Sequence, residues 1–131
     1  MTDPELIELA KKALENSYSP YSGFKVGAAL LCKDGNVFSG CNVENASFGA
    51  ANCAERTAIF YAVANGHREF SKIAVVGTSN GKISQFTPPC GICRQVLSEF
   101  CQEDFKIILF DGKNIKSFTM NEILPYPFSE F

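Results

Sequence analysis

The cysteine spacing constrains this chain more than any other feature of its sequence. Cys90 and Cys93 form a C-x-x-C pair after two prolines, and Cys53 stands well upstream of them. The two thiolates of a C-x-x-C pair can bind one tetrahedral metal ion from a single turn of backbone. A structural zinc site normally has four protein ligands, whereas a catalytic site keeps one position open. Cys53, Cys90 and Cys93 are therefore predicted to be the three ligands of a catalytic zinc ion, Zn2+.

A carboxylate lies close to this predicted metal site. Glu55 follows Cys53 by two residues and can lean over the open coordination position. There it can act as the acid/base partner of a zinc-activated water molecule. The alternative is an ordinary surface glutamate on a helix. The neighbouring cysteine pattern favours the catalytic interpretation.

The charge of the chain speaks against a nucleic-acid partner. The 131 residues carry a net charge of -2, and no run of lysine or arginine interrupts the sequence. A protein that neutralises phosphates needs a basic patch or stripe. We therefore expect no nucleic-acid partner.

The start of the chain and its apolar runs indicate a cytoplasmic protein. Residues 1–5 are acidic and lack the features of a signal peptide, and no apolar run approaches the roughly 20 residues needed to span a bilayer. In a reducing compartment cysteines are more often metal ligands or packed residues than disulfides. Cys32, Cys41 and Cys101 are expected to pack as small apolar side chains.

The order of apolar and turn signals predicts an α/β domain built as an α-β-α layered structure. Asp3 is a candidate cap for the first helix, with Pro4 at its first position. Asp34-Gly35 marks a hairpin turn, and Gly66 ends a helix that starts at Cys53. The predicted helices cover residues 3–15, 53–65 and 90–100, with a short last one opened by the capping box Thr119–Glu122; the predicted strands cover residues 24–33, 36–42, 73–77, 107–110 and 115–118.

Two further expectations concern single positions. Ile92, Val96 and Leu97 are predicted to share the buried face of the third helix. His67, the only histidine, is expected to be an exposed turn residue after Gly66.

The motif Cys53-Ala54-Glu55, followed by Pro89-Cys90-x-x-Cys93, resembles the cytidine deaminase family. The resemblance extends from about residue 18 to residue 128. It implies a three-layer α-β-α fold with a mixed sheet of about five strands, formed by one domain of residues 1–131. It also implies hydrolytic deamination of cytidine and deoxycytidine to uridine and deoxyuridine in pyrimidine salvage, by a cytoplasmic homotetramer of the small three-cysteine type.

The same resemblance assigns roles around the predicted zinc ion. Glu55 takes a proton from the activated water, delivers it to N3 of the pyrimidine and assists departure of the amino group. The backbone N–H of Ala54 meets the base carbonyl, and the ring of Phe24 flanks the base. Apart from the resemblance, three thiolates leave a negative ligand shell, so we expect Arg56 to hydrogen-bond a ligand thiolate and draw charge from the sulfurs, with Gln95 as a further residue around them. For Arg56 a solvated helix face is the alternative.

Residues farther from the metal are assigned by resemblance alone. Asn42 and Glu44 match positions that hydrogen-bond the ribose hydroxyls, with loop ordering as the alternative. Phe128 matches an aromatic residue that reaches the active site of a neighbouring subunit, although it can equally cover its own core. Phe48 stands where relatives often carry tyrosine, which affects subunit or loop contacts rather than the chemistry.

Three other functions compete with deamination of a free nucleoside. A related deaminase acts on a cytosine-containing antibiotic nucleoside, but Asn42 and Glu44 favour an unmodified ribose. A zinc-stabilised interaction module would need a fourth ligand, for which Cys101 is the nearest thiol, and would be indifferent to Glu55. Polynucleotide editing is disfavoured by the missing basic surface.

Overall fold

A computed structural model describes residues 1–130, and Phe131, the last residue of the expected domain, lies outside them. The helices are α1 (Asp3–Leu14), α2 (Ala54–Ala64), α3 (Gly91–Phe100) and α4 (Met120–Ile123), with a short 3-10 helix at Phe48–Ala50. The strands are β1 (Lys25–Cys32), β2 (Val37–Cys41), β3 (Phe70–Thr78), β4 (Lys106–Phe110) and β5 (Ile115–Thr119). In the part of the chain described, no helix combines the length and apolar composition needed to cross a membrane.

The five strands form one mixed sheet in the order β2-β1-β3-β4-β5. Strands β3 and β4 are parallel, and the other neighbours are antiparallel. The tight β1–β2 hairpin turns at Asp34-Gly35, where Gly35 adopts a φ of 94° that favours glycine. The predicted mixed five-stranded sheet is therefore confirmed.

Helices cover both faces of this sheet, as the continuous apolar pattern of β1 requires. On one face, α1 buries Leu6, Ile7 and Ala10 against Ala29 and its neighbours on β3 and β4. On the other face, α2 and α3 pack on a larger core, which includes Ala28, Leu30, Ala58, Ile59, Leu97 and Phe105. This arrangement confirms the predicted three-layer α-β-α fold. It also puts α2 and α3 side by side on one face.

Three details of the predicted elements are wrong. Thr2, rather than Asp3, caps α1, because its hydroxyl accepts from the Glu5 N–H while Glu5 reaches back to the Thr2 N–H. Strand β3 begins at Phe70, three residues before the prediction, because its pairing with β1 extends to Cys32. Ile92 is 62% exposed, so Cys93 and Leu97 form the buried face of α3 instead.

A glycine on β2 lets α2 approach the sheet closely. A Cβ atom on Gly40 would lie 2.5 Å from the backbone nitrogen of Ala58 and 2.6 Å from the carbonyl oxygen of Ala54. Backbone atoms of a helix cannot give way as a flexible side chain can, so a larger residue must displace the helix. Gly40 therefore sets the distance between the sheet and the N-terminal half of α2.

We expect Gly40→Ala to lower the free energy of unfolding by about 2 kcal/mol, since overpacking of a tight contact typically costs about this much. Denaturant unfolding of the zinc-loaded protein measures the change. Gly49→Ala is the matched control, because a Cβ atom there meets nothing within 4 Å. Equal stability of the Gly40 variant and the Gly49 variant would contradict the packing argument.

Candidate metal centre and adjoining pocket

The three cysteines of the predicted metal site lie at the N-termini of two neighbouring helices. Cys53 is the N-cap residue of α2, Cys90 is the N-cap residue of α3, and Cys93 lies in the first turn of α3. At both N-caps, no hydrogen bond from the cap side chain to the helix is formed. The thiols are thus available for other partners. Free N–H groups and the positive end of each helix dipole favour a negative charge on them.

The positions of the sulfur atoms fit a zinc ion. The three Sγ atoms all lie within 4.8 Å of one another, and those of Cys53 and Cys90 are 3.7 Å apart. Tetrahedral zinc–thiolate geometry with bonds of about 2.3 Å places two sulfurs roughly 3.8 Å apart. Three thiolates supply three of four tetrahedral positions and leave one for another ligand. The donor set therefore suits a zinc ion with an open position.

Hydrogen bonds between the cysteine side chains change the pKa values of their thiols. A hydrogen bond with Cys93, helped by Arg56, lowers the pKa of Cys53 to about 5. The same bond raises the pKa of Cys93, because Cys93 keeps the proton that it shares with Cys53. A metal ion that binds both sulfurs displaces this proton.

Glu55 is a buried carboxyl group beside the thiols. It is only 4% exposed, although it belongs to the first turn of α2 and lines the pocket described below. Burial raises the pKa of Glu55 to about 7, and the negative charge of Cys53 adds to this effect. A carboxyl group with such a pKa is populated in both protonation states near neutral pH. It can therefore accept a proton and return it.

Arg56 contacts the metal site directly. Its Nη2 atom donates a hydrogen bond to Cys53 Sγ at 3.3 Å. Its buried Nε atom has no hydrogen-bond partner among residues 1–130. The guanidinium group therefore lies against the sulfurs and not on a solvated helix face.

A pocket of about 490 Å³ opens next to the three cysteines. Its wall contains most of the residues assigned by sequence to the site: Phe24, Asn42, Glu44, Cys53, Ala54, Glu55, Arg56 and Cys90. The volume is in the range of small-molecule sites. The structure thus brings together residues from the start of β1, the loop after β2 and the N-termini of α2 and α3.

Asn42 and Glu44 line this pocket and also hold the chain around it. The Asn42 side chain donates to the carbonyl oxygen of Phe24 at 2.8 Å and accepts from the Val26 N–H at 2.9 Å. Glu44 accepts the backbone N–H groups of Tyr21 and Ser22 at 2.9 and 3.0 Å, as well as the Ser22 hydroxyl. These bonds show that both residues order loops. Each side chain still has hydrogen-bonding capacity for a further partner.

Three residues assigned by sequence do not line the pocket, and one of them, Cys93, is fully buried behind it. Phe128 is 65% exposed, and its carbonyl oxygen accepts a hydrogen bond from Gln95 Nε2 at 2.8 Å. Gln95 lies on α3 and ties the C-terminal segment to that helix. Neither side chain is among those that surround the pocket.

Other residues of the pocket wall were not predicted from the sequence. Thr87, Pro88 and Ile92 line it together with Phe48, which stacks edge-on against Tyr21 with ring centroids 6.3 Å apart. The helical period predicts Ile92 to lie in the core, whereas the structure exposes it at the pocket. The proximity of Thr87 and Pro88 to Cys90 in the sequence was the only available signal. The buried Thr87 hydroxyl has no partner among residues 1–130.

Comparisons with known proteins agree on one family. Residues 1–109 match the family model described as the cytidine and deoxycytidylate deaminase zinc-binding region. The cytidine deaminase of Sporosarcina psychrophila is 47% identical over 127 residues, which cover 96% of this chain and 90% of the relative. The crystal structure of cytidine deaminase from Burkholderia pseudomallei superposes with a TM-score of 0.89 at 50% identity, covering 98% of this chain and 100% of that one. A blasticidin-S deaminase of Bacillus cereus is more distant, at 30% identity over 131 residues, with 97% and 92% covered.

The geometry predicts which cysteines hold the metal. We expect purified protein to contain about one zinc ion per chain, as a single three-thiolate site requires. The Cys90→Ala variant should lose most of its zinc, because only two thiolate ligands remain to bind the ion. Zinc content is measured by elemental analysis after dialysis against a weak chelator.

Cys101→Ala is the matched control, because Cys101 ends α3 outside the cluster of three sulfurs. It should keep its zinc. Loss of zinc from the Cys101 variant would indicate a closed four-thiol site and contradict an open coordination position.

Proposed function

Because this chain belongs to the cytidine and deoxycytidylate deaminase family, we propose that it hydrolyses the amino group of free cytidine and deoxycytidine. The products are uridine or deoxyuridine and ammonia. The observation that carries this proposal is a buried carboxyl group, Glu55, beside three convergent thiols in a pocket of about 490 Å³. We propose that the whole chain acts as a single domain.

Cys53, Cys90 and Cys93 would hold the zinc ion, which when bound would act as a Lewis acid and make a water molecule nucleophilic at neutral pH. Glu55 accepts a proton from this water and delivers it to N3 of the pyrimidine as the water oxygen bonds to C4. Glu55 then passes the second water proton to the amino group, and the bond between C4 and the amino nitrogen breaks to release ammonia. The carboxyl group must therefore be both an acceptor and a donor, which its buried position favours.

Arg56 makes a three-thiolate site electrophilic enough for this chemistry. Three thiolates on a divalent ion leave a net negative ligand shell, which makes bound water less acidic than in a histidine-rich site. The hydrogen bond from Arg56 to Cys53 withdraws charge from one sulfur. Arg56 is thus a positioning residue that acts through a ligand.

The base is recognised by Phe24 and Ala54, two residues of the pocket wall. Phe24, which directly precedes β1, provides an aromatic face. Ala54, the first residue of α2, provides a backbone N–H. The first N–H groups of a helix have no partner within it, so this group can donate to the base carbonyl. Ala54 is fully buried, and its small side chain leaves room for the ring.

Asn42 and Glu44 bind the sugar in this proposal. They line the same pocket as Phe24 and Ala54. A carboxylate and an amide can together accept from and donate to ribose hydroxyls. Their bonds to the 21–26 segment fix their orientation before a sugar arrives.

A blasticidin-S deaminase among the relatives makes antibiotic deamination the second candidate. Identity to the cytidine deaminase of Sporosarcina psychrophila is higher, at 47% against 30%. The pairing of Asn42 with Glu44 also favours an unmodified ribose over a modified sugar. An unmodified nucleoside is therefore the preferred substrate.

Assembly into a homotetramer is also part of this proposal. Large apolar side chains stand exposed around the pocket, on α2 and in the C-terminal segment: Phe48, Phe60, Tyr61, Ile92 and Phe128. Apolar side chains grouped on a surface favour association, and Phe128 would reach the pocket of a neighbouring subunit. Sedimentation equilibrium should give four chains per particle. A fully active monomer would contradict this assembly.

The proposed role of this activity is pyrimidine salvage, and its proposed location is the cytoplasm. The six cysteines are free thiols, the state that zinc ligation requires and a reducing compartment maintains. Cell fractionation that recovers the activity outside the cytoplasm would contradict this location.

The activity is tested by ammonia release from the zinc-loaded protein. We expect release from cytidine and deoxycytidine, and none from cytosine or a single-stranded oligonucleotide. Blasticidin S is included as the competing substrate, and release from it alone would transfer the assignment to the antibiotic. No release from any nucleoside would leave the zinc-stabilised module as the better interpretation.

Two variants assign the roles in the same assay. Glu55→Gln should keep its zinc and lose turnover by more than about 100-fold, the usual contribution of acid/base catalysis. Arg56→Gln should keep zinc and lose about 10- to 100-fold, as is typical for partners of metal ligands. Glu99→Gln, an exposed glutamate on α3, is the control and should be unchanged. Substantial activity in the Glu55 variant would place the acid/base role elsewhere.

A further inference from the structure

A second group of metal-binding side chains lies at the other end of α2. Cys32 is the last residue of β1, Asp34 follows it in the hairpin turn, and His67 lies between α2 and β3. One ligand atom from each lies within 4.8 Å of the other two. Cys32 and Asp34 lie two residues apart, and the packing of α2 on the hairpin brings His67 to them. Helix α2 has eleven residues, so this group lies about 16 Å from the catalytic cysteines along its axis.

The group is held in place by hydrogen bonds around it. His67 Nε2 lies 3.2 Å from Asp34 Oδ2 and 3.3 Å from Asn36 Nδ2, and Asn36 Nδ2 also donates to Asp34 at 3.1 Å. The backbone N–H of His67 donates to the carbonyl oxygen of Ala62 at 3.0 Å. Its ring packs edge-on against Phe38, with centroids 4.8 Å apart. His67 is thus a half-buried, oriented side chain, and the expectation of an exposed turn residue is wrong.

A simple ion pair does not account for all of these groups. The Cys32 side chain is buried at 2% exposure against the same turn. A sulfur, an imidazole nitrogen and a carboxylate oxygen form the mixed donor set that zinc accepts. The helix dipole also favours a cation at this position, because the C-terminal end of α2 carries partial negative charge.

We propose that Cys32, Asp34 and His67 form a second site for a divalent cation of the zinc type, which fastens the β1–β2 turn to the loop after α2. This site is separate from the three-thiolate centre and takes no part in deamination. It has one sulfur ligand and an exposed carboxylate, so it binds more weakly and fills only when zinc exceeds one ion per chain. Its effect is to stabilise the fold at the end of α2 remote from the pocket.

The site is tested by equilibrium dialysis of protein that already holds one zinc per chain. At micromolar free zinc, we expect elemental analysis to give about two zinc ions per chain. Asp34→Asn should give about one, because the amide is a poor replacement for the carboxylate. Asp111→Asn is the matched control, since Asp111 lies in the other hairpin turn and also accepts backbone N–H groups there. It should keep two.

Thermal unfolding in the same samples gives an independent measurement. Excess zinc should raise the Tm of the parent protein and of the Asp111 variant but not of the Asp34 variant. Cobalt added to the zinc-loaded parent should produce a sulfur-to-cobalt charge-transfer band that Cys32→Ala lacks. His67→Gln should behave as Asp34→Asn does. If a buried-site variant does not fold, the Asp34 variant decides, because that side chain is 54% exposed.

One zinc per chain in the parent under these conditions would overturn the proposal. Two zinc ions in both Asp variants would also overturn it, because the second ion would then bind elsewhere on the surface.

Discussion

The structure depends on the meeting of two helix N-termini at three sulfur atoms. Cys53 and Cys90 cap α2 and α3, and neither helix has a side-chain cap of its own. In most helices a serine or aspartate would satisfy the first N–H groups. Here the cap side chains are thiols that make no hydrogen bond to their helices, and the negative charge of a thiolate favours the positive end of each helix dipole instead, so the stability of both helix starts is connected to the chemistry of the site. The pocket lies beside the N-termini of these two helices.

Local signals in the sequence were sufficient for the fold and the metal. The Asp34-Gly35 turn, the apolar run of β1 and the capping box at Thr119 each depend on neighbouring residues, and each element forms where it was predicted. The C-x-x-C pair at Cys90 and Cys93 likewise acts within one turn of backbone. The mixed sheet and the zinc-binding character of the domain are confirmed for this reason.

Features set by contacts between distant segments could not be predicted. Ile92 satisfies the helical period, yet it faces outward, because α3 turns Cys93 toward Cys53 and Leu97 toward the core. His67 belongs to no sequence motif, and the packing of α2 on the hairpin is what brings it to Asp34. Glycine at position 40 gave no signal either, although the close approach of α2 requires it. Sequence periodicity reports an element's own faces and not its partners.

The bonds from Glu44 to Tyr21 and Ser22 have a thermodynamic consequence for recognition. The same carboxylate proposed to bind the sugar already orders the loop that borders the pocket, and Asn42 does so for Phe24 and Val26. Much of the conformational entropy needed to shape the sugar side is therefore lost during folding and not on ligand binding. A preorganised rim of this kind lets a small, strongly hydrated nucleoside bind without a large closing motion.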